Sequence, residues 1–505
     1  IILRAASEIS SFVCELICKK KNDNKIIKYF FIIFCFYLNL QASTELNIIQ
    51  KFFIIILTSF LIVENNGVDK PNFILYLSDD QDYLDYGIYG NERVDSEHVD
   101  KLASQGLKFT NFHTAQAICA PSRSQLYSGL YPVKNGCYAN HIPVKKNIKS
   151  VVHHLKDLGY EVVLAGKSHV NPPSVFRWDR FIRNIDGKKL NIKGIENYLK
   201  NSKKPFCLII ASDYPHGPYP QNKDYTIADV KKQPYENKIP NFKPGYYQNI
   251  KSDNSQLGKI LELSDQLNLT DNSIFIYASD HGITGKYGLY QKGLKIPFVI
   301  RWPGKLKQNT ISNSLLTMVD VLPTLVDIAG GDTKSFDGKS FLPILENQKN
   351  EVNDYIYGVS TRQNVRYGKV FPSRMISDGN FKLILNFNSL DRYKNYLGEN
   401  KHINKFIEMG SKAFPNVPYE ELYNLKTDPF EKKNLAKNSD YKEVKQKLTN
   451  NLYEWMIGQE DFLLNNNMPL IKPTLHPLDK VSQWNDIDRS LENKLNESDY
   501  LSSHY

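Results

Sequence analysis

Two acidic residues in a row, Asp79-Asp80, leave the apolar run Asn72–Leu77 within Ser78-Asp79-Asp80-Gln81. Adjacent carboxylates at the end of a buried strand repel each other unless a cation neutralises them, and hard oxygen donors favour Ca2+ or Mg2+. An exposed acidic turn has the same sequence. A second cluster is Cys119-Ala120-Pro121-Ser122-Arg123, continuing into Ser124-Gln125-Leu126-Tyr127-Ser128-Gly129. Pro121 suits the first turn of a helix, where its missing N–H costs nothing. Cys119 then stands at a helix N-terminus, where free N–H groups and the dipole favour an anion. Arg123 lies on the same face one turn later. Spacing alone leaves open a buried structural cysteine beside a surface arginine.

The elements around these clusters alternate short apolar runs with helical periodicity, the pattern of an α/β fold. Strands are predicted at Asn72–Leu77, Glu161–Ala165, Pro205–Ala211, Ser273–Ala278 and Pro297–Arg301. Helices are predicted at Ser96–Gln105 with Ser96 as N-cap, after Ser150 up to Gly159, and over Tyr247–Gln266. Leu315–Ile328 reads as an apolar helix interrupted by Pro323. Three of the clusters fall just past predicted strands, where ligand sites of open α/β sheets gather. After about residue 351 the texture changes. A strand at Phe381–Asn386 and an amphipathic stretch near Tyr441–Met456 suggest a smaller α+β domain, and the tail after Asn467 is polar and broken by prolines.

The chain has 505 residues, 41 % apolar and 23 % charged, enough for a large core and incompatible with global disorder. Its net charge is +10, from 64 basic and 54 acidic residues, without a dense basic block, so no nucleic-acid partner is expected. Six cysteines exclude a disulfide-dense scaffold. Cys137 and Cys207 read as two buried thiols. Residues 1–68 read as a leader, either signal-like or a spurious upstream segment, since the first methionine is Met318. The runs Tyr29–Leu40 and Phe52–Val63 are shorter than the roughly 18–20 residues that cross a bilayer, and Lys51 before the second run resembles a secretory signal. Export to a periplasmic or extracellular space is the expectation. The organisation expected is thus leader 1–68, catalytic domain 69–350, and C-terminal subdomain 351–505.

Cys-x-Pro-Ser-Arg followed by Leu-x-x-Gly resembles the signature of type I sulfatases, within the alkaline phosphatase superfamily. Other segments agree in order: Asp79-Asp80, Ala165-Gly166-Lys167-Ser168-His169, Tyr214-Pro215-His216, Ser279-Asp280-His281-Gly282 and Ile296–Gly304. Glu421-Leu422-Tyr423-Asn424-Leu425 with Asp428-Pro429 and Glu431 resembles the family's C-terminal domain. Asn135-Gly136, Lys167-Ser168-His169-Val170 and Phe371-Pro372-Ser373-Arg374 lean toward the sulfamidase (N-sulfoglucosamine sulfohydrolase) branch. Thr361–Arg366 does not match that branch's substrate loop.

The resemblance implies an alkaline-phosphatase-like fold: a large mixed sheet flanked by helices, plus a smaller C-terminal α+β domain with a short antiparallel sheet. It implies that Cys119 is oxidised to Cα-formylglycine by a formylglycine-generating enzyme. Asp79, Asp80, Asp280, His281 and the modified Cys119 would hold one Ca2+. His281 is the least expected ligand, because imidazole is softer than Ca2+ prefers. Arg123 and Lys167 would direct charge toward the hydrated aldehyde and the sulfate. His169 would be the base at the hydrate's second hydroxyl, His216 a sulfate binder or proton donor to the leaving group, and Lys286 a sulfate binder with Lys292 as its rival. One hydroxyl attacks sulfur and the other later expels sulfate, which divides a hard step in two. The substrate implied is a sulfated carbohydrate, N-sulfoglucosamine or a heparan-type glycan; a homodimer is left open. Two alternatives stand beside this: a phosphatase or phosphodiesterase of the same superfamily, and an inactive binding protein with the same fold. His113, His153 and His154 are expected to be structural.

Overall fold

Strand β1 (Asn72–Asp79) buries both of its faces. Phe73, Leu75 and Leu77 enter one apolar core, and Ile74 and Tyr76 enter another on the opposite side of the sheet. That two-sided burial is why the sequence shows a continuous apolar run without alternation. The computed structural model describes residues 70–221, 224–363, 370–396, 410–411 and 413–465. The leader, its two apolar runs, the tail after Asn467 and residues 364–366 of the Thr361–Arg366 segment lie outside the described residues. The fold is that of the unit beginning at Lys70.

The remaining strands are β2 (Leu107–Phe109), β3 (Phe112–His113), β4 (Glu161–Gly166), β5 (Arg180–Ile182), β6 (Phe206–Pro215), β7 (Ser273–Ser279), β8 (Phe298–Arg301), β9 (Thr310–Ser312), β10 (Leu316–Thr317), β11 (Ile356–Ser360), β12 (Ser373–Ser377), β13 (Phe381–Asn386) and β14 (Glu420–Asn424). Eight of them form one sheet in the order β5-β4-β6-β1-β7-β8-β2-β9. All neighbours are parallel except β8, which is antiparallel to both β7 and β2. β11 to β14 form a separate antiparallel sheet, with its own core closed by Leu448, Leu452 and Met456. The mixed sheet plus a small antiparallel one is the architecture expected.

Helices α1 (Glu97–Ser104), α2 (Cys119–Ser128), α3 (Val151–Asp157), α4 (Ile192–Asn201), α5 (Lys243–Gln266), α6 (Val321–Ile328) and α7 (Lys442–Gly458) flank the two sheets. Ser150 caps α3 in a capping box with His153. Ser96 sits at the N-cap of α1, but its hydroxyl accepts from Gly87 N and donates to Asp100, so it ties a loop to the helix and does not cap it. The predicted helix Leu315–Ile328 is corrected: its first part is β10 and a short 3-10 turn. Pro323 stands in the first turn of α6, where it breaks no hydrogen bond, so it starts the helix without interrupting it. Helix α5 begins four residues earlier than the periodicity suggested, at Lys243, with Pro244 in its first turn.

Candidate active site

Four neighbouring strands, β4, β6, β1 and β7, point their carboxyl ends the same way. The chain leaves them as Lys167-Ser168-His169, His216, Asp80 and Asp280-His281 respectively. Residues scattered over 200 positions are thereby gathered on one rim. Gly166 makes the exit from β4 feasible. It has φ +94, and a Cβ there would lie 2.1 Å from Ala211 O, so only glycine lets Lys167 N reach that carbonyl at 2.8 Å. Asp80 and His169 themselves adopt φ of 65° and 52°, a strained left-handed backbone that concentrates at functional positions.

Cys119 is the first residue of α2, as the Pro121 spacing predicted. It is buried, with Sγ 3.4 Å from His281 Nε2, 3.6 Å from Lys286 Nζ and 3.8 Å from Asp80 Oδ1. Ser122 secures the helix to the rim by donating to Asp280 O at 2.6 Å. Arg123 lies on the same helix face as Cys119 but is not a surface residue: it is fully buried. Its Nη2 donates to Asp79 Oδ1 and Asp280 Oδ2, each at 3.0 Å, and Nε adds a bond to Asp280 at 3.2 Å. Burial opposes its charge, yet Asp280 and Asp79 raise the guanidinium above its ordinary range. Its direct work in the structure is thus to hold the two acidic pairs at a fixed separation.

Asp79, Asp80 and Asp280 bring carboxylate oxygens within 4.8 Å of one another. Burial alone would raise all three. Lys167 and Arg123 hold Asp79 well below the ordinary carboxylate value, and Lys286 and His281 do the same for Asp80. Lys286 Nζ donates to Asp80 Oδ2 at 2.8 Å, and Lys167 Nζ donates to Asp79 Oδ2 at 2.5 Å. Asp280 stays raised by burial, with Asp79 adding to it against His281 and Arg123. The clustered carboxylate oxygens are a hard-oxygen set that fits a divalent cation such as Ca2+. His281 fits the set too. Its Nδ1 faces Gly282 O at 3.2 Å and donates there, which leaves Nε2 pointing at Asp80 Oδ1 (3.0 Å) and Cys119. A ring N–H held by a carbonyl is the usual support of a histidine ligand. The carboxylates Asp280 and Asp80 raise the ring well above its ordinary value against burial.

Lys167, Lys286 and His216 are the side chains that reach solvent, 14 %, 20 % and 39 % exposed, above carboxylates that are 0–1 % exposed. An anion entering from solvent meets these three groups first. His216 Nε2 stands 3.5 Å from Asp80, its tautomer set by Nδ1–H on Gly217 O at 2.7 Å. Lys188, unnoticed in the sequence, donates to His216 O. Lys292 lies outside this cluster, with Nζ over the Tyr290 ring.

His141 is the second residue that sequence reading missed, with φ 68°. Ala120 N donates to Asn140 Oδ1 at 3.2 Å, which fixes the amide so that Nδ2 donates to His141 Nε2 at 3.0 Å. His141 must then carry its proton on Nδ1 and donate to His169 Nε2, 3.0 Å away. His169 in turn carries its proton on Nδ1, which is buried without a partner. In this tautomer His169 presents an N–H on Nδ1, whereas the base that the resemblance implies needs the opposite one. Burial, then Lys167 and His141, also depress it well below the ordinary histidine value. Cys137 and Cys207 are free buried thiols, as expected. His113 is buried against Gln291 and depressed to about 3.

A family model described as Sulfatase matches residues 71–331, more than half of the chain. The chain belongs to the sulfatase family. A second model, N-sulphoglucosamine sulphohydrolase, C-terminal, matches residues 279–408. An ulvan-active sulfatase from Formosa agariphila is 48 % identical, covering 86 % of this chain and 90 % of that protein. Human N-sulphoglucosamine sulphohydrolase is 24 % identical over 77 % of this chain and 90 % of its own length. Among solved structures, a 2-O GAG sulfatase superposes with TM-score 0.63 at 20 % identity, covering 79 % of this chain and 94 % of that one. The sulfatase is thus a hydrolase. Among its described residues no helix is long and apolar enough to cross a membrane.

Proposed function

We propose that this sulfatase removes sulfate from a sugar of a sulfated polysaccharide, with Cys119, oxidised to formylglycine, as the nucleophilic residue. The observation that carries the reading is the seat of Cys119: Sγ at a helix N-terminus, within 3.4–3.8 Å of His281, Lys286 and Asp80, the last being one of three carboxylates whose oxygens cluster within 4.8 Å. A polymer such as ulvan is the favoured substrate, supported by the 48 % identical relative; N-sulfated glucosamine is second, supported by the C-terminal model. Asp79, Asp80, Asp280 and His281 would hold one Ca2+. A bound divalent cation would neutralise the carboxylates and polarise a sulfate oxygen.

The chain's own residues set the rest. Arg123 fixes Asp79 against Asp280. Lys167 and Lys286 bring fixed positive charge to the opening, where the sulfate oxygens gather charge as the ester bond breaks. His169 Nδ1–H is a donor for an oxygen at the reacting centre. His216, with Nε2 free to carry a proton beside Asp80, is the donor to the departing sugar oxygen. On this reading residues 69–350 are the catalytic domain, 351–505 the subdomain beside it, and 1–68 an export leader, so that the enzyme meets its polymer outside the cell.

The test is co-expression with a formylglycine-generating enzyme and mass spectrometry of the peptide containing residue 119. Activity is then measured on ulvan fragments, N-sulfoglucosamine, 6-O-sulfated sugars and an aryl sulfate. An aldehyde at 119, activity on a sugar sulfate and complete loss in Cys119→Ala are expected. Sulfate release by Cys119→Ala, or an unmodified thiol in active protein, refutes the reading and favours a phosphatase-like chemistry.

A further inference from the structure

The segment that carries Lys286 toward Cys119 continues into Tyr290, Lys292 and Lys295, and these line a separate cavity of about 1010 Å3. Its other walls are Tyr83, residues 232–237 and the loop 429–432 of the C-terminal domain. No side chain of the candidate active site lines it. Four lysines do: Lys232, Lys292, Lys295 and Lys432. The two acids on the wall are already engaged, Glu236 with Lys243 Nζ at 2.9 Å and Glu431 with Lys382 Nζ at 2.6 Å. Among the described residues none of the four lysines has a carboxylate partner.

Instead, three of them lie over aromatic rings: Lys295 Nζ is 4.6 Å from the Tyr83 centroid, Lys292 5.9 Å from Tyr290 and Lys432 5.9 Å from Phe430. Lys295 is the least solvated, and burial, helped by Lys382, lowers it to about 8. Four lysines line one open cleft, Lys232 and Lys432 exposed and Lys292 and Lys295 half-buried, and an anion between them would offset their mutual repulsion. A volume of this size with aromatic walls and a few charged groups is that of a ligand site. Tyr235 and Tyr423 also line the cavity, and aromatic side chains of this kind suit the C–H face of a pyranose.

We propose that this cavity is a second carbohydrate site, which holds an anionic stretch of polysaccharide, sulfated or carboxylated, apart from the residue being desulfated. The choice of a sugar among anions rests on the function proposed above; the site itself does not. It would keep the enzyme on its polymer between cleavages and favour long substrates over short ones.

The experiment measures binding of size-defined dextran sulfate by calorimetry to the full chain carrying Cys119→Ala. The same chain with Lys292→Ala and Lys432→Ala added, and a third with Lys295→Met, are compared with it, and polyglutamate serves as a non-sugar anion. The expected result is at least ten-fold weaker dextran sulfate binding in both variants and a shallower salt dependence. In the chain that keeps Cys119, the same substitutions should leave aryl sulfate turnover within two-fold. Affinity within two-fold of the parent overturns the site. Equal binding of polyglutamate overturns the sugar assignment, and aryl sulfate turnover falling in parallel returns the lysines to the catalytic centre. Lack of sulfatase activity in the chain that keeps Cys119 would sink the proposed function while leaving this binding readout intact.

Discussion

His141 Nδ1 donates to His169 Nε2 across 3.0 Å, and that one bond decides which ring nitrogen of His169 carries the proton. The chain of donors behind it starts at Ala120 N, next to the nucleophilic position, and passes through Asn140. His141→Ala frees His169 to take either tautomer. The expected outcome is a fall in kcat of about ten-fold with little change in KM. Steady-state rates on an aryl sulfate measure it, and an unchanged kcat would mean that His141 only packs.

Lys167 bridges the buried Asp79 and the solvent-facing mouth of the site. Burial opposes its charge, and Asp79 raises it above the ordinary lysine value, so it stays cationic throughout the working range. Lys167→Ala removes fixed positive charge where negative charge develops, and the expected loss in kcat is more than ten-fold. Steady-state rates on an aryl sulfate measure it. A near-normal rate would transfer the role to Lys286.

Much of this site could be read in the sequence because its parts other than Cys119, Arg123 and Lys286 directly follow a buried strand. Apolar runs such as Asn72–Leu77 and Ser273–Ala278 announce their strands, and the polar residues just beyond them are the ones on the rim. His141 could not be found that way. It lies in an irregular stretch after α2, and only the folded chain brings it back to His169. The same holds for Arg123: a sequence shows its helix position but not that two carboxylates fold over it. Pro323 misled because a proline inside an apolar run looks like a break until the strand that precedes it is known.

The acidic trio gives a prediction about metal removal. Asp280 remains raised even with Arg123 and His281 against it, so a divalent cation binding there should stabilise the fold as well as the activity. Dialysis against a calcium chelator is expected to lower Tm by several degrees and abolish turnover, and added Ca2+ should restore both. Melting curves followed by fluorescence, in chelator and in millimolar Ca2+, check this. A Tm indifferent to both would show that Lys286, Lys167 and Arg123 already suffice to balance the site.

Asp253, on α5, carries a cost far from the chemistry. Its side chain is buried and accepts from Tyr76 O–H at 2.7 Å, with no cation against it; burial pushes it up to about 7 although the hydrogen bonds from Ser212 and Tyr76 pull the other way. An unfolded aspartate titrates near 3.9, so between about pH 4 and pH 7 the folded chain binds the extra proton. Stability from this group is therefore greatest below pH 4, falls as pH rises to 7, and stays lost above. Asp320, raised to about 6 by burial, adds the same sign. Asp253→Asn keeps the acceptor for Tyr76 and deletes the titration. It should stabilise the protein at pH 8 by on the order of 1–3 kcal/mol while leaving stability near pH 4.5 almost unchanged. Denaturant unfolding at the two pH values separates the cases: a variant weakened equally at both would mean that the carboxylate is needed ionised.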